Sequence, residues 1–186
     1  MRKIIISAFF FSVSIAACNR ASKDDPDYAI KLAGSYTVPD DAAITKAVHD
    51  AYGCICFKDG KPAYDSIKNY FVPQAQLINF RADTAAFTSL PQFVEFYKEF
   101  VESKKINLFY EEELFGKTEQ FGNIAHRIST YKTYINSRDS ALERGVNSFQ
   151  LIKTPGGWKV SSIIWDVEKP NLPVPAYYLK TDTVGK

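Results

Sequence analysis

The chain is poor in the residues from which most catalytic and metal sites are assembled, with three cysteines, two histidines and one methionine among its 186 residues. His49 and His126 stand far apart, and no further cysteine or histidine sits at ligand spacing near Cys54 and Cys56, so no metal site is expected. A Gly-x-Ser-x-Gly elbow and a phosphate-cradling glycine loop are both missing, and no cofactor is implied. A surplus of charge is lacking too. Two of the 23 basic residues and none of the 21 acidic ones lie in the first 17 positions, so the remainder is formally neutral. A nucleic-acid binder needs a field of Lys and Arg to displace counterions from phosphates, so nucleic acid is not an expected partner. The apolar run from Ile4 to Ala17 includes Ser7, Ser12 and Ser14 and falls short of the roughly 20 residues that span a bilayer.

What the first positions do contain is a charged start at Arg2 and Lys3, that apolar run, and Ile15-Ala16-Ala17-Cys18. This is the layout of a secretory signal peptide over residues 1–17. Its end resembles the bacterial lipobox, which implies lipid attachment at Cys18, export, and anchoring to a membrane of the cell envelope, inner or outer. Durable anchoring takes two or more acyl chains, at about 0.8 kcal/mol per buried methylene. With Cys18 so used, Cys54 and Cys56 remain. A disulfide between them would close a tight, strained ring, so two thiols packed among Tyr52, Ile55 and Phe57 are expected.

Residues 18–39 are rich in Ser, Lys, Asp, Pro and Gly and read as a tether. A domain is expected over 40–180, with a short tail at 181–186. Asp40 and Asp41 suit a helix start, and Ile44, Ala47, Val48, Ala51 and Tyr52 recur at helical spacing. A short helix is expected after Asp65, carrying Ile67, Tyr70 and Phe71 and ending near Pro73, then a strand over Gln76 to Arg81. Following Ser89-Leu90-Pro91, the stripe Phe93, Phe96, Tyr97, Phe100 and Val101 marks an amphipathic helix and reads first as core. Four extended segments come next, at Ile106–Thr118, Ile124–Asn136, Arg144–Lys153 and Gly157–Val167, separated by turn signals. Helices first and a meander afterwards argue for an α+β fold, with helices packed on one face of a curved antiparallel sheet. The proline-rich Lys169–Leu179 stretch is expected to run extended over the domain, docked by Leu172, Val174 and Tyr178.

Phe121-Gly122-Asn123-Ile124-Ala125-His126, Ser129-Thr130-Tyr131, Arg144-Gly145-Val146-Asn147-Ser148-Phe149-Gln150-Leu151 and Gly157-Trp158-Lys159-Val160, leading to Trp165-Asp166, resemble the last strands of the nuclear-transport-factor-two-like superfamily. The likeness is strongest to its SnoaL-like and ketosteroid-isomerase-like members and covers about Asp41 to Leu179. It implies a cone: a bent sheet wrapped on three N-terminal helices, a pocket at the wide end, and frequent homodimers. It does not imply one chemistry, since the cone serves isomerases, dehydratases, cyclases and binding modules.

Candidate site residues follow from residue type and alternation. His126 shares a strand face with Ile128 and Thr130. Pointing inward it would move a proton or polarise a carbonyl; otherwise it is a histidine fixed by a hydrogen bond. A His49/His126 pair is the arrangement that dehydratase members suggest. Glu111 and Glu113 share a face with Phe109 and Phe115, Glu112 lying opposite. They are either a general base or carboxylates paired to Lys132, Arg127 or Arg144. Asn147 and Gln150 point to opposite faces, as do Trp158 and Trp165 if no bulge intervenes. Arg144 and Asp166 are a candidate ion pair. His126, Glu111 and Glu113 are thus the catalytic candidates, and His126, Asn147, Trp165 and Tyr97 the ligand-contacting ones. The expectation is an anchored module binding a small apolar molecule or a protein partner. The alternatives are an enzyme using a His126/carboxylate pair and a purely structural dimer.

Overall fold

A computed structural model describes residues 38–82 and 84–179. The leader, Cys18, most of the tether and the 181–186 tail lie outside the described residues. Helix α1, Asp41–Gly53, buries Ile44, Val48, Ala51 and Tyr52 along one stripe. Asp40 does not cap it with its side chain. Its carboxylate instead takes Lys153 Nζ at 2.7 Å, Gln120 Nε2 at 3.0 Å and the Trp158 indole N–H at 3.3 Å. The helix start is thereby tied to three strands rather than to its own amides, and the Lys153 contact holds Asp40 below the usual carboxylate range.

A two-residue strand β1, Phe57–Lys58, and a 3-10 helix, Tyr64–Tyr70, lead into β2, Phe71–Asn79. The strand begins before Pro73, not after it. Its register with a later strand shifts between Phe71 and Gln76, which spares the proline a ladder hydrogen bond. β3, Ala86–Ser89, pairs back on β2. Helix α2, Leu90–Ser103, starts at a capping box in which Ser89 and Gln92 exchange hydrogen bonds, with a proline in its first turn. The long strands are β4, Leu108–Phe121; β5, Ile124–Ile135; β6, Glu143–Thr154; and β7, Gly157–Val167.

One seven-stranded sheet results, in the order β1-β4-β5-β6-β7-β2-β3. The meander is antiparallel as expected, but β2 runs parallel to β7. These two strands are remote in sequence, and no tight turn forces them to oppose. Two bulges bend the sheet further. β4 gains a residue between Glu113 and Phe115, and β7 gains Ser161, whose hydroxyl bonds the Gln150 carbonyl at 3.0 Å. The core fills the concave side, where α1 and α2 meet Leu77, Phe109, Tyr131, Phe149, Leu151, Trp158 and Val160. On the other side, the Thr130 hydroxyl donates to the Tyr178 carbonyl at 2.7 Å and the Tyr178 ring packs on Phe115. Of the three docking residues expected in the C-terminal stretch, Leu172 stays half exposed.

Candidate functional site

Between α1, α2 and the concave face lies a cavity of about 330 Å³. The helices contribute Ala51 and Tyr52 from α1 and Phe93, Phe96, Tyr97 and Phe100 from α2. The sheet contributes Phe71, Leu77, Phe109, Phe149, Ile163 and Trp165, and Asn79, Arg81, Glu111, Tyr131 and Asn147 supply a polar sector. The α2 stripe is therefore core only in part. Tyr97 and Val101 are buried, while Phe96 is 60% and Phe100 37% exposed on the cavity wall. Tyr97 reaches the cavity as expected, with its hydroxyl donated to the Ile55 carbonyl. Trp165 is also on the wall. A bulge does intervene between the two tryptophans: the extra residue Ser161 returns Trp165 to the face of Trp158, so they do not oppose.

Glu111 and Glu113 share the inner face, as alternation indicates, but the bulge after Glu113 turns Phe115 to the outside, against Tyr178. Glu111 accepts from Thr133 Oγ1 at 2.7 Å through Oε2. Burial, opposed by that bond, raises its carboxyl to about 7; nearby Glu143 raises it further and Arg81 counteracts. Glu113 is the opposite case. Burial alone would raise it, but Arg127 donates from Nε at 2.9 Å and from Nη2 at 2.7 Å, and Ser129 and His49 add to the pull, leaving it below the ordinary glutamate range. Both side chains of this pair are under a tenth exposed. His49 Nε2 lies 2.9 Å from Glu113 Oε2 on the solvent side.

His126 is not in the cavity. It stands on the outer face, its Nε2 3.0 Å from Ser148 Oγ, in a depression of about 460 Å³ shared with Phe115, Lys117, Glu119, Ile128 and Tyr178. A pairing of His126 with Glu111 or Glu113 and a His49/His126 pair are both prevented by the sheet between them; the carboxylate beside His126 on the outer face is Glu119, its cross-strand neighbour. The physical reason is that β5 carries polar residues on both faces: Arg127, Ser129, Tyr131 and Thr133 turn inward, and Arg127, Ser129 and Thr133 are buried there. Lys132 and Arg144 do not pair with the glutamates named for them. Arg144 grips Glu168 at 2.8 and 2.6 Å, and Asp166 instead meets Lys169 at 3.2 Å. Cys54 and Cys56 are free and half-buried; Cys54 Sγ bonds the Ala51 carbonyl and burial pushes its thiol up to about 12.

Asn147 faces inward and Gln150 outward, as alternation requires. Asn147 Nδ2 donates to Tyr52 Oη at 2.8 Å, and Tyr52 Oη lies 2.7 Å from Ser129 Oγ. Tyr52, Ser129, Tyr131 and Arg81 were not singled out as site residues. Only the odd-numbered positions of β5, once the inner face is known, would have marked two of them. At the cavity edge Arg81 Nη2 meets Glu143 Oε1 at 2.5 Å, and Tyr131 Oη donates to the same oxygen at 3.1 Å.

No family model matches the chain, and no curated protein matches it. Solved structures do. A protein of unknown function with a cystatin-like fold from Nostoc punctiforme superposes with a TM-score of 0.57 at 13% identity, over 75% of this chain and 98% of that one. A nuclear-transport-factor-two-like protein with a cystatin-like fold from Novosphingobium aromaticivorans gives 0.54 at 10% identity, over 84% and 96%. Another of unknown function, from Methylobacillus flagellatus, gives 0.51 at 15%, over 73% and 97%. At these identities the likeness establishes the fold, the nuclear-transport-factor-two-like cone, and nothing of the chemistry.

Proposed function

We propose that this domain binds a small, largely apolar, ring-containing molecule in the concave cavity, and that the lipobox-like leader delivers it to the cell envelope on a lipid attached to Cys18. The observation that carries the binding reading is the wall itself. Aromatic side chains from both a helix and the sheet surround an opening that their own rings do not fill, and Phe96 and Phe100 remain exposed on it. Burying apolar surface contributes roughly 25 cal/mol per Å², so a ring seated there recovers what these side chains lose by standing open. The few polar groups on one sector give such a ligand an orientation.

A second reading is favoured by one group. Glu111 sits on this wall with a carboxyl raised to about 7, a value suited to accepting and returning a proton at neutral pH. Catalysis would then rest on Glu111 without His126. The apolar fluorophore N-phenylnaphthylamine tests the binding reading: saturable enhancement at one probe per chain is expected, and it should vanish in Ile163→Trp, which fills the cavity. Enhancement that is unsaturable, or unchanged in that variant, would contradict the assignment. Under the second reading Glu111→Gln keeps probe binding and loses turnover of any substrate found.

A further inference from the structure

The polar sector of the cavity is wired to a buried ion pair, and the wiring has a direction. Glu113 is held by two nitrogens of Arg127 at 2.9 and 2.7 Å. An ionised carboxylate can only accept hydrogen bonds. Asn147 Nδ2 meets Tyr52 Oη at 2.8 Å, so the phenol oxygen accepts there. The phenol proton then goes to Ser129 Oγ, 2.7 Å away and wholly buried. Ser129 is left to turn its own proton toward the Glu113 carboxylate, in keeping with the lowered value of that group. The amide is thereby fixed with Oδ1 turned away from Tyr52 and left for the cavity that Asn147 lines. Among the described residues no donor bonds Asn147 Oδ1. Glu111 Oε1 is likewise without a hydrogen bond, Oε2 being taken by Thr133.

We propose that the ligand carries a hydroxyl group on its apolar ring system, and that the chain Glu113, Ser129, Tyr52, Asn147 selects it by holding the Asn147 amide oxygen toward the cavity. This rests on the cavity being a ligand site. A hydroxyl donates to Asn147 Oδ1 and can still accept. A ketone or ether only accepts and leaves Oδ1 desolvated without a partner, which is costly. An ammonium could donate, but its charge would have to be desolvated among the apolar rings that make most of the wall, which is costly. Ser129 and Tyr52 are positioning residues: they act on the ligand by deciding which end of an amide it meets.

Calorimetric titration with naphthol, methoxynaphthalene, acetonaphthone, naphthylmethylamine and naphthalene tests this. In the unmodified protein naphthol should bind about tenfold tighter than methoxynaphthalene and acetonaphthone, as one well-made hydrogen bond allows. In Ser129→Ala, Tyr52 loses its acceptor and turns its proton to Asn147. The amide then rotates to present N–H, and acetonaphthone should overtake naphthol. Tyr52→Phe removes the same constraint with little change of shape and should bring the two affinities within about twofold, so the test stands even where Ser129→Ala does not fold. Equal binding of naphthol and methoxynaphthalene, a preference for the amine, or an unchanged order in the folded variants would overturn the proposal while leaving the cavity a binding site. If naphthalene and every derivative fail to bind, the binding reading falls and the proposal with it.

Discussion

Glu111 and Glu113 stand two residues apart on one strand face and titrate in opposite directions, because one has a guanidinium and the other a hydroxyl for company. The raised carboxyl makes a prediction about stability. Glu111 is protonated in the folded chain up to about pH 7, whereas its ordinary value is 4.5. Between those values the folded state holds the extra proton, so rising pH works against folding. Over that window wild type should lose about 3 kcal/mol that Glu111→Gln does not lose. Urea unfolding of both proteins at pH 4 and pH 8 checks it. The gap between them should open in favour of the variant on the alkaline side; a gap independent of pH would mean Glu111 titrates alike in the folded and unfolded chain. Glu113, with its lowered carboxyl, contributes with the reverse sign, and its share is lost only as pH falls below the ordinary glutamate range. That these two glutamates share a face was legible from strand alternation. Which of them would be paired was not, since the Arg127 side chain that decides it comes from the neighbouring strand. His126 illustrates the limit from the other side: a strand with polar residues on both faces offers no hydrophobic contrast to say which side is inside.

At the scale of elements, two bulges and two glycines shape the site. Gly116, just past the β4 bulge, has no room for a side chain, because a Cβ there would collide with the Arg127 guanidinium and lie 2.6 Å from Glu113 Oε1. Gly145 does the same for the Tyr131 ring, whose atoms would stand 2.8 Å from a Cβ. Gly116→Ala should therefore push Arg127 off Glu113 and leave a buried carboxylate unpaired, at a cost of about 3 kcal/mol. Gly53→Ala, at a helical position with open space around it, should be neutral or slightly stabilising. Thermal unfolding of the two variants side by side separates loss of the ion pair from a generic effect of adding a methyl; equal stability of both would remove this role of Gly116. The two α-helices and the four long strands were readable to within a few residues, since they rest on periodicity within one segment, whereas the short strands β1 and β3 were not read and β2 was begun five residues late. The bulges were not readable. They arise from fitting strands of the curved sheet to one another, and a single extra residue reverses every later side chain, as Phe115 and Trp165 record.

For the whole molecule, helices before a meander carried enough information to indicate the cone, because segregated elements have few ways to bury their apolar faces. The parallel β2–β7 pair escaped notice because no local signal reports a pairing across most of the domain. The cavity was expected only through the resemblance, and residue spacing alone did not mark its walls. The aromatic stripe of α2 has the same spacing whether it packs against a partner or stands back from it, and only the three-dimensional curvature of the sheet leaves the space. If the leader acts as proposed, Cys18→Ser should move the protein from the membrane fraction to the soluble fraction of fractionated cells without altering its unfolding transition. Retention in the membrane fraction would contradict lipid attachment at that residue. The most direct measurement of the central claim is native mass spectrometry of the domain after incubation with an extract of its own cells, with Ile163→Trp treated identically. The account predicts one small molecule retained per chain by the unmodified domain and none by the variant. An empty unmodified domain, or the same mass on both proteins, would contradict a ligand in the concave cavity.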